Sequence, residues 1–145
     1  MSHKLPLSVL VVVHTAALEV LLLERALRPG YWQSVTGSLE EMDEPLERAA
    51  AREVREETGL DADAGRLERW NVRYTFEIYR QWRHRFAPGV IHNVEQVFAL
   101  SLPARAPVRL AADEHVAYTW LPWREAAAKC FSWSNRDAIV MLGER

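Results

Sequence analysis

The chain predicts an α/β fold, and three stretches carry that expectation. Residues 8–13 form an unbroken, largely β-branched apolar run, the pattern of a strand covered on both faces. Residues 45–59 place Leu46, Ala49, Ala50 and Val54 at helical spacing. That segment opens on Pro45, which suits a first helical position, and closes on Gly59, which suits the left-handed residue just past a helix end. Residues 95–102 form a second apolar strand far along the chain.

The remaining elements fill in around these three. Glu19–Arg25 reads as a hairpin partner for the first strand, and Arg28-Pro29-Gly30 as a turn. Residues 31–36 read as one short strand leading to Gly37. After a loop containing Asp61, Asp63 and Gly65, residues 70–79 have strand composition, and Arg80–Arg85 is a basic run holding one aromatic. Ala87-Pro88-Gly89 is a turn, and residues 103–107 interrupt the pattern with two prolines. A late strand is expected over 118–121 and a short helix over 124–128. The last helix is expected to be capped by Ser134, with Asp137 three residues on, and to run to about Leu142. There is no internal repeat and no linker, so residues 1–145 read as one domain.

Composition narrows the function classes. The chain has 145 residues, 49% hydrophobic and 26% charged, with a formal net charge of −2. Its balance provides no general attraction to nucleic acid or to anionic lipid. The run Arg80–Arg85 alone is too narrow for a nucleic-acid surface. Lysine occurs only at Lys4 and Lys129, so the cations are mostly arginine, a residue suited to phosphate. The single Cys130 forms no internal disulfide and reads as a small buried apolar residue. The apolar run after Lys4 reads as a strand and not as an export signal, and no run is long enough to span a membrane. The expected compartment is the cytoplasm. His84, His92 and His115 lack metal-ligand spacing.

The chemistry concentrates in the 45–59 helix. Glu53, Glu56 and Glu57 lie within one turn and should converge. Continuing the apolar stripe from Leu46 and Ala50 by helical turns leads to Glu53 and Glu57, so the face that should be buried turns acidic. Glu47, Arg48, Ala51 and Arg55 occupy the opposite, solvated side. Like charges held close and shielded from water either take up protons or bind a cation. Oxygen ligands alone select a hard ion such as Mg²⁺, with Mn²⁺ a substitute, and leave room for water and substrate phosphates. Metal-assisted water attack on phosphorus is the chemistry that follows.

Arg52-Glu53-Val54-Arg55-Glu56-Glu57-Thr58-Gly59-Leu60 resembles the second half of the Nudix box. Glu44 stands the required seven residues before Arg52, but six residues instead of five separate it from Gly37. The loop is one residue longer, with Met42-Asp43 where the family has Gly, so Asp43 could compete for the role of Glu44. The stretches 31–38, 76–79, 83–90 and 132–136 resemble the Nudix branch that cleaves dihydroneopterin triphosphate. That resemblance implies a mixed sheet sandwiched between helices. It also implies Mg²⁺ on Glu53, Glu57 and Glu114, and a loop Glu44 held by Arg52. Glu56 would be a third acidic group, and Glu56 and Glu114 both become candidate bases. The substrate groups it implies are Lys4, Arg25, Thr36, Phe76, Glu77, Ile78, Tyr79 and Ser132. Lys4 and Arg25 would meet the triphosphate, Phe76 and Tyr79 would stack on the ring, and Ser132 would bond the ring edge. Trp32 and Trp133 could equally stack or pack. The implied reaction releases pyrophosphate and a monophosphate from a small-molecule triphosphate. Two alternatives stay open: a nucleoside triphosphate pyrophosphatase acting on dATP, and a Nudix module that binds without turnover.

Overall fold

In the computed structural model, residues 3–145 are described. The expected α/β architecture forms as a mixed sheet with helices on both faces. Strand β1 (Leu7–Thr15) is central, and its residues 8–15 are all buried. Odd and even side chains serve different layers, as strand alternation dictates. Val9, Val11 and Val13 join one core with α1 (Leu46–Thr58), while Leu10 and Val12 join a second core with α2 (Trp123–Lys129) and α3 (Trp133–Glu144).

On one edge β1 pairs in parallel with β6 (His92–Leu102) over nine residues, from Leu7↔Val94 to Thr15↔Leu102. Outside β6 lies β5 (Arg66–Glu77), antiparallel to it. Its register shifts between Arg69 and Arg73. There Gln96 donates to the freed carbonyls of Trp70 and Val72 at 2.6 and 3.1 Å, satisfying backbone that the ladder cannot.

The other edge of β1 divides, and this division positions the site. Near its C-terminal end β1 pairs with β2 (Glu19–Arg25), and near its N-terminal end with β4 (Val35–Ser38). Strand β2 in turn pairs with β3 (Trp32–Gln33) and with β7 (His115–Pro122). The expected single strand over 31–36 is therefore two strands. The chain leaves β2 after Gln33 and joins β1 at Val35, with Ser34 between them. The amide of Ser34 donates at 2.8 Å to Asn135 Oδ1 on α3.

Other differences are local. Pro45 occupies the N-cap and the helix begins at Leu46. Gly59 sits at φ 73 and its amide bonds Arg55 O, the left-handed ending expected of it. The strand expected over 70–79 starts earlier, at Arg66, and stops at Glu77. The late strand and the helix after it are also longer than expected. Arg80–Arg85 coils into a 3₁₀ helix. Ser132, not Ser134, caps α3, accepting from the Asn135 amide; Ser134 lies inside the helix and is buried. Cys130 is buried and unpaired, with its thiol pushed up to about 12 by burial. No helix among the described residues is long and apolar enough to cross a membrane.

Candidate active site

Helix α1 buries Ala49, Ala50, Glu53, Val54, Glu57 and Thr58 against the sheet. The apolar stripe does run into two glutamates. Glu57 is 1% exposed, and its Oε1 has no hydrogen-bond partner. Burial raises its carboxyl well above the ordinary range, and the adjacent Glu53 adds to this. Burial also pushes Glu53 upward, while hydrogen bonds with Glu57 and Arg52 pull the other way. Close approach of this pair to the sheet depends on Gly37. A Cβ there would sit 2.0 Å from the Glu53 carboxyl carbon.

Arg52 organises the loop side. It donates to both oxygens of Glu44 at 2.9 and 3.1 Å, to Glu53 at 2.8 Å and to the Ser38 carbonyl at 3.3 Å. Its guanidinium is held more firmly protonated by Glu44 and then Glu53. Glu44 also accepts from the Glu40 amide, while Asp43 is exposed. The lengthened loop thus delivers Glu44, not Asp43, to Arg52.

Glu56 does not converge with the buried pair. It is half-exposed, accepts from Arg52 at 3.3 Å, and lines a groove of about 770 Å³ on the outer side of α1 with Arg48 and Arg55. Glu114 also stays apart. It is exposed on the loop before β7, and its charge reaches Glu57, Lys4 and Arg25. Among the described residues no three acidic, imidazole or thiol side chains are close enough together to hold an ion.

Facing the acids is a cluster of cations. The Lys4 ammonium is lowered mainly by burial, then by Arg85 and Arg25, against the pull of Glu53 and Glu114. Arg25 is lowered by burial and Arg85, and its Nε has no partner. Arg25 Cζ lies over the Trp82 ring, 4.6 Å from its centroid, and the guanidinium donates to Gln33 at 3.3 Å. Gln33 in turn lies 3.4 Å from Thr36 Oγ1 and from His115 Nε2. His115 is buried 4.0 Å from Glu57, and burial, with Arg25 nearby, lowers it to about 4, so the ring is neutral near pH 7. Beside Arg25, an aromatic group surrounds Phe131. Tyr31 stacks on it at 4.7 Å, and Trp82 and Tyr79 lie at 6.3 Å.

A model of the NUDIX domain matches residues 4–141. The chain belongs to the Nudix family. Nudix hydrolases generally use divalent metal ions. The dihydroneopterin triphosphate diphosphatase of Escherichia coli strain K12 is 46% identical to it over 140 residues, covering 94% of this chain and 91% of that protein. The protein of the same name from Haemophilus influenzae is 35% identical, covering 96% and 88%. The solved structure of the Escherichia coli dihydroneopterin triphosphate pyrophosphohydrolase superposes with a TM-score of 0.89 at 43% identity, over 97% of each chain.

The Nudix helix is the part of the site legible from sequence. Of the expected substrate residues, Lys4, Arg25 and Thr36 gather around the split in the sheet. Tyr79 joins the aromatic group, whereas Phe76 packs against the second core and Ile78 is buried. Glu77 pairs with Arg83 at the rim. Ser132 accepts from the Asn135 amide and side chain. Arg85, His115, Trp82 and Phe131 are the residues sequence reasoning missed. Arg85 and Trp82 lie in the basic run 80–85; Arg85 is also within the resembling stretch 83–90, which assigns it no role. His115 follows Glu114 directly, and Phe131 precedes Ser132.

The donor set fits a hard divalent ion. Two buried carboxylates, one with an orphaned oxygen and both resisting ionisation, are a cost that a cation would remove.

Proposed function

We propose that the chain hydrolyses dihydroneopterin triphosphate to dihydroneopterin monophosphate and pyrophosphate, with Mg²⁺ as the working ion and Mn²⁺ as a substitute. The observation that carries this reading is the pairing of Glu53 and Glu57 beneath the cation cluster of Lys4, Arg25 and Arg85. The likeness to the two diphosphatases supplies the substrate. In this reading Glu53 and Glu57 hold the metal, joined by Glu114 from its loop when the ion is present. When bound there, the ion would supply polarisation of phosphate oxygens and a lowered pKa of water.

The chain's own groups do the rest. Lys4, Arg25 and Arg85 hold the phosphates as charge-assisted donors. Arg52 fixes Glu53 and clamps Glu44, so the loop closes on one geometry. The proton of the attacking water goes to Glu56 or to Glu114, both exposed carboxylates whose charges reach the buried pair. Neutral His115 adds no charge beside Glu57 and keeps Gln33 in place. Tyr79, Trp82 and Phe131 offer faces for a bicyclic ring. One catalytic domain over residues 1–145 is sufficient for these parts. A triphosphate does not cross membranes, which puts the proposed work in the cytoplasm.

The test is steady-state hydrolysis with phosphorus-resolved product detection in ¹⁸O-water. Pyrophosphate and a monophosphate are expected, and release of single phosphates alone would sink the assignment. The aromatic group would also accept a purine, so dATP is the second reading, and comparing kcat/KM for the two substrates decides between them. Absence of turnover on both would favour a binding module.

A further inference from the structure

Six buried side-chain atoms among the described residues have no hydrogen-bond partner. Three belong to the site just described: Arg25 Nε, Glu57 Oε1 and His115 Nδ1. The other three are Ser34 Oγ, Asn93 Oδ1 and Glu95 Oε1, and the mechanism uses none of them. Asn93 and Glu95 are neighbours on one face of β6. They share that face with Val97 and Ala99, whose core is the α2–α3 side of the sheet. Both are buried, at 6% and 4% exposure. Ser34 is drawn to the same side by Asn135 of α3.

Each of these residues has one engaged group and one idle one. Asn93 donates through Nδ2 to Ser8 Oγ at 2.8 Å, leaving Oδ1 idle. Glu95 has the Ser134 hydroxyl as its stabilising neighbour, leaving Oε1 idle. Burial pushes the Glu95 carboxyl up to about 7, so the folded protein bears a cost for keeping an acid here. A buried acceptor without a donor costs about 1–3 kcal/mol. Two of them, two residues apart on a strand, form a row of acceptors about 7 Å long. The Glu95 carboxylate can accept two side-by-side N–H donors, the arrangement on the edge of a small ring with adjacent N–H groups, and Asn93 Oδ1 supplies a further acceptor along the strand.

The surroundings fit a ring. Glu95 stands opposite Tyr74, and Asn93 opposite Phe76, in the β5–β6 ladder. Trp133, half-exposed, meets Tyr74 edge-on at 5.2 Å. Phe76, an expected substrate residue, is the ladder partner of Asn93, and Ser132, another, bonds the Asn135 that holds Ser34. We propose that Glu95, with Asn93 beside it, recognises the 2-amino-4-oxo edge of the substrate heterocycle. That edge, common to pterins and guanine, presents an amino group next to a ring N–H. Adenine presents an acceptor nitrogen where this edge has its ring N–H, and leaves one protein acceptor unpaired. This rests on the reading of the chain as a triphosphate pyrophosphohydrolase and adds which ring edge it selects.

Two experiments test it. The first compares kcat/KM of the native enzyme for dGTP and dITP, which differ only in the 2-amino group. A loss of about 10- to 100-fold for dITP is expected, the effect of leaving a buried acceptor unpaired. Equal rates overturn the proposal. The second compares Glu95→Gln with the native enzyme on dihydroneopterin triphosphate and dATP. The expected result is a drop of about tenfold or more in the ratio of the two kcat/KM values, carried mainly by KM for the pterin. An equal fall on both substrates, or no fall, identifies Glu95 as merely structural. If the native enzyme releases no pyrophosphate from the pterin substrate, the proposed function fails. The dGTP, dITP and dATP series then still decides the role of Glu95.

Discussion

The molecule buries acids in two places, and the two are built differently. Glu57 lies on the α1 side of the sheet beside a second carboxylate, with Arg25 near it and Lys4 near its partner Glu53. Glu95 lies on the α2–α3 side among Ser134, Asn93 and Tyr74, with no cation among the described residues acting on it. Both carboxyls are pushed up chiefly by burial, and both keep one idle oxygen. The difference is what would satisfy them. Two carboxylates together call for a metal ion. A single carboxyl in a row of neutral acceptors calls for N–H donors. Burial alone therefore does not tell a metal site from a ring-recognition site; the neighbours do.

The largest expected effect separates the two acids by activity. Glu57→Gln should lower kcat by about 10³-fold on every substrate, as expected for removing a group that stabilises the transition state. Glu95→Gln should change which substrate is preferred. Similar behaviour of the two variants would erase the distinction. Thermal melts sharpen the same contrast. Mg²⁺ at about 100 times its dissociation constant should stabilise the native protein by about 2.7 kcal/mol, and Glu57→Gln should abolish the shift while Glu95→Gln keeps it. A full metal-induced shift in Glu57→Gln would move the ion elsewhere.

Next comes the support of the pair. Gly37→Ala forces a methyl into the space of the Glu53 carboxylate. It should cost about 1–3 kcal/mol of stability and most of the activity; an active, unaltered variant would show that Glu53 has freedom to move. Arg52→Ala frees Glu44 and Glu53 together and should weaken metal affinity by about 10- to 100-fold, measured by titrating activity against Mg²⁺. The smallest effect is on pH. Glu95 binds a proton more tightly folded, at about 7, than at its ordinary 4.5. Its contribution to stability is full below about 4.5 and is lost as pH rises through about 7. The melting temperature of Glu95→Gln should fall less than that of the native protein between pH 5 and 8.

The same contrast explains what sequence made legible. Glu53 and Glu57 could be placed because helical periodicity is local, and an apolar stripe that ends in acids is visible in fifteen residues. Arg52 and Glu44 followed from spacing. Glu95 could be read only as the start of a strand, because its neighbours Ser134 and Tyr74 come from distant segments. The change of strand partner at Ser34 was invisible for the same reason: hydrogen-bond partners are not encoded in the alternation of 31–36. Arg85 and His115 acquired their places through tertiary contacts that join the chain's beginning, middle and end. The cap at Ser132 was misplaced because Ser134 offers the same side chain two residues on, and only the backbone distinguishes them.

The central claim is that the buried pair on α1 drives pyrophosphate release from a pterin triphosphate. The most direct measurement follows pyrophosphate released from dihydroneopterin triphosphate by the native protein and by Glu57→Gln, each with and without Mg²⁺. Mg²⁺-dependent pyrophosphate from the native protein, and almost none from the variant, is the predicted result. Pyrophosphate formed at native rates by Glu57→Gln, or orthophosphate as the sole inorganic product, would contradict it.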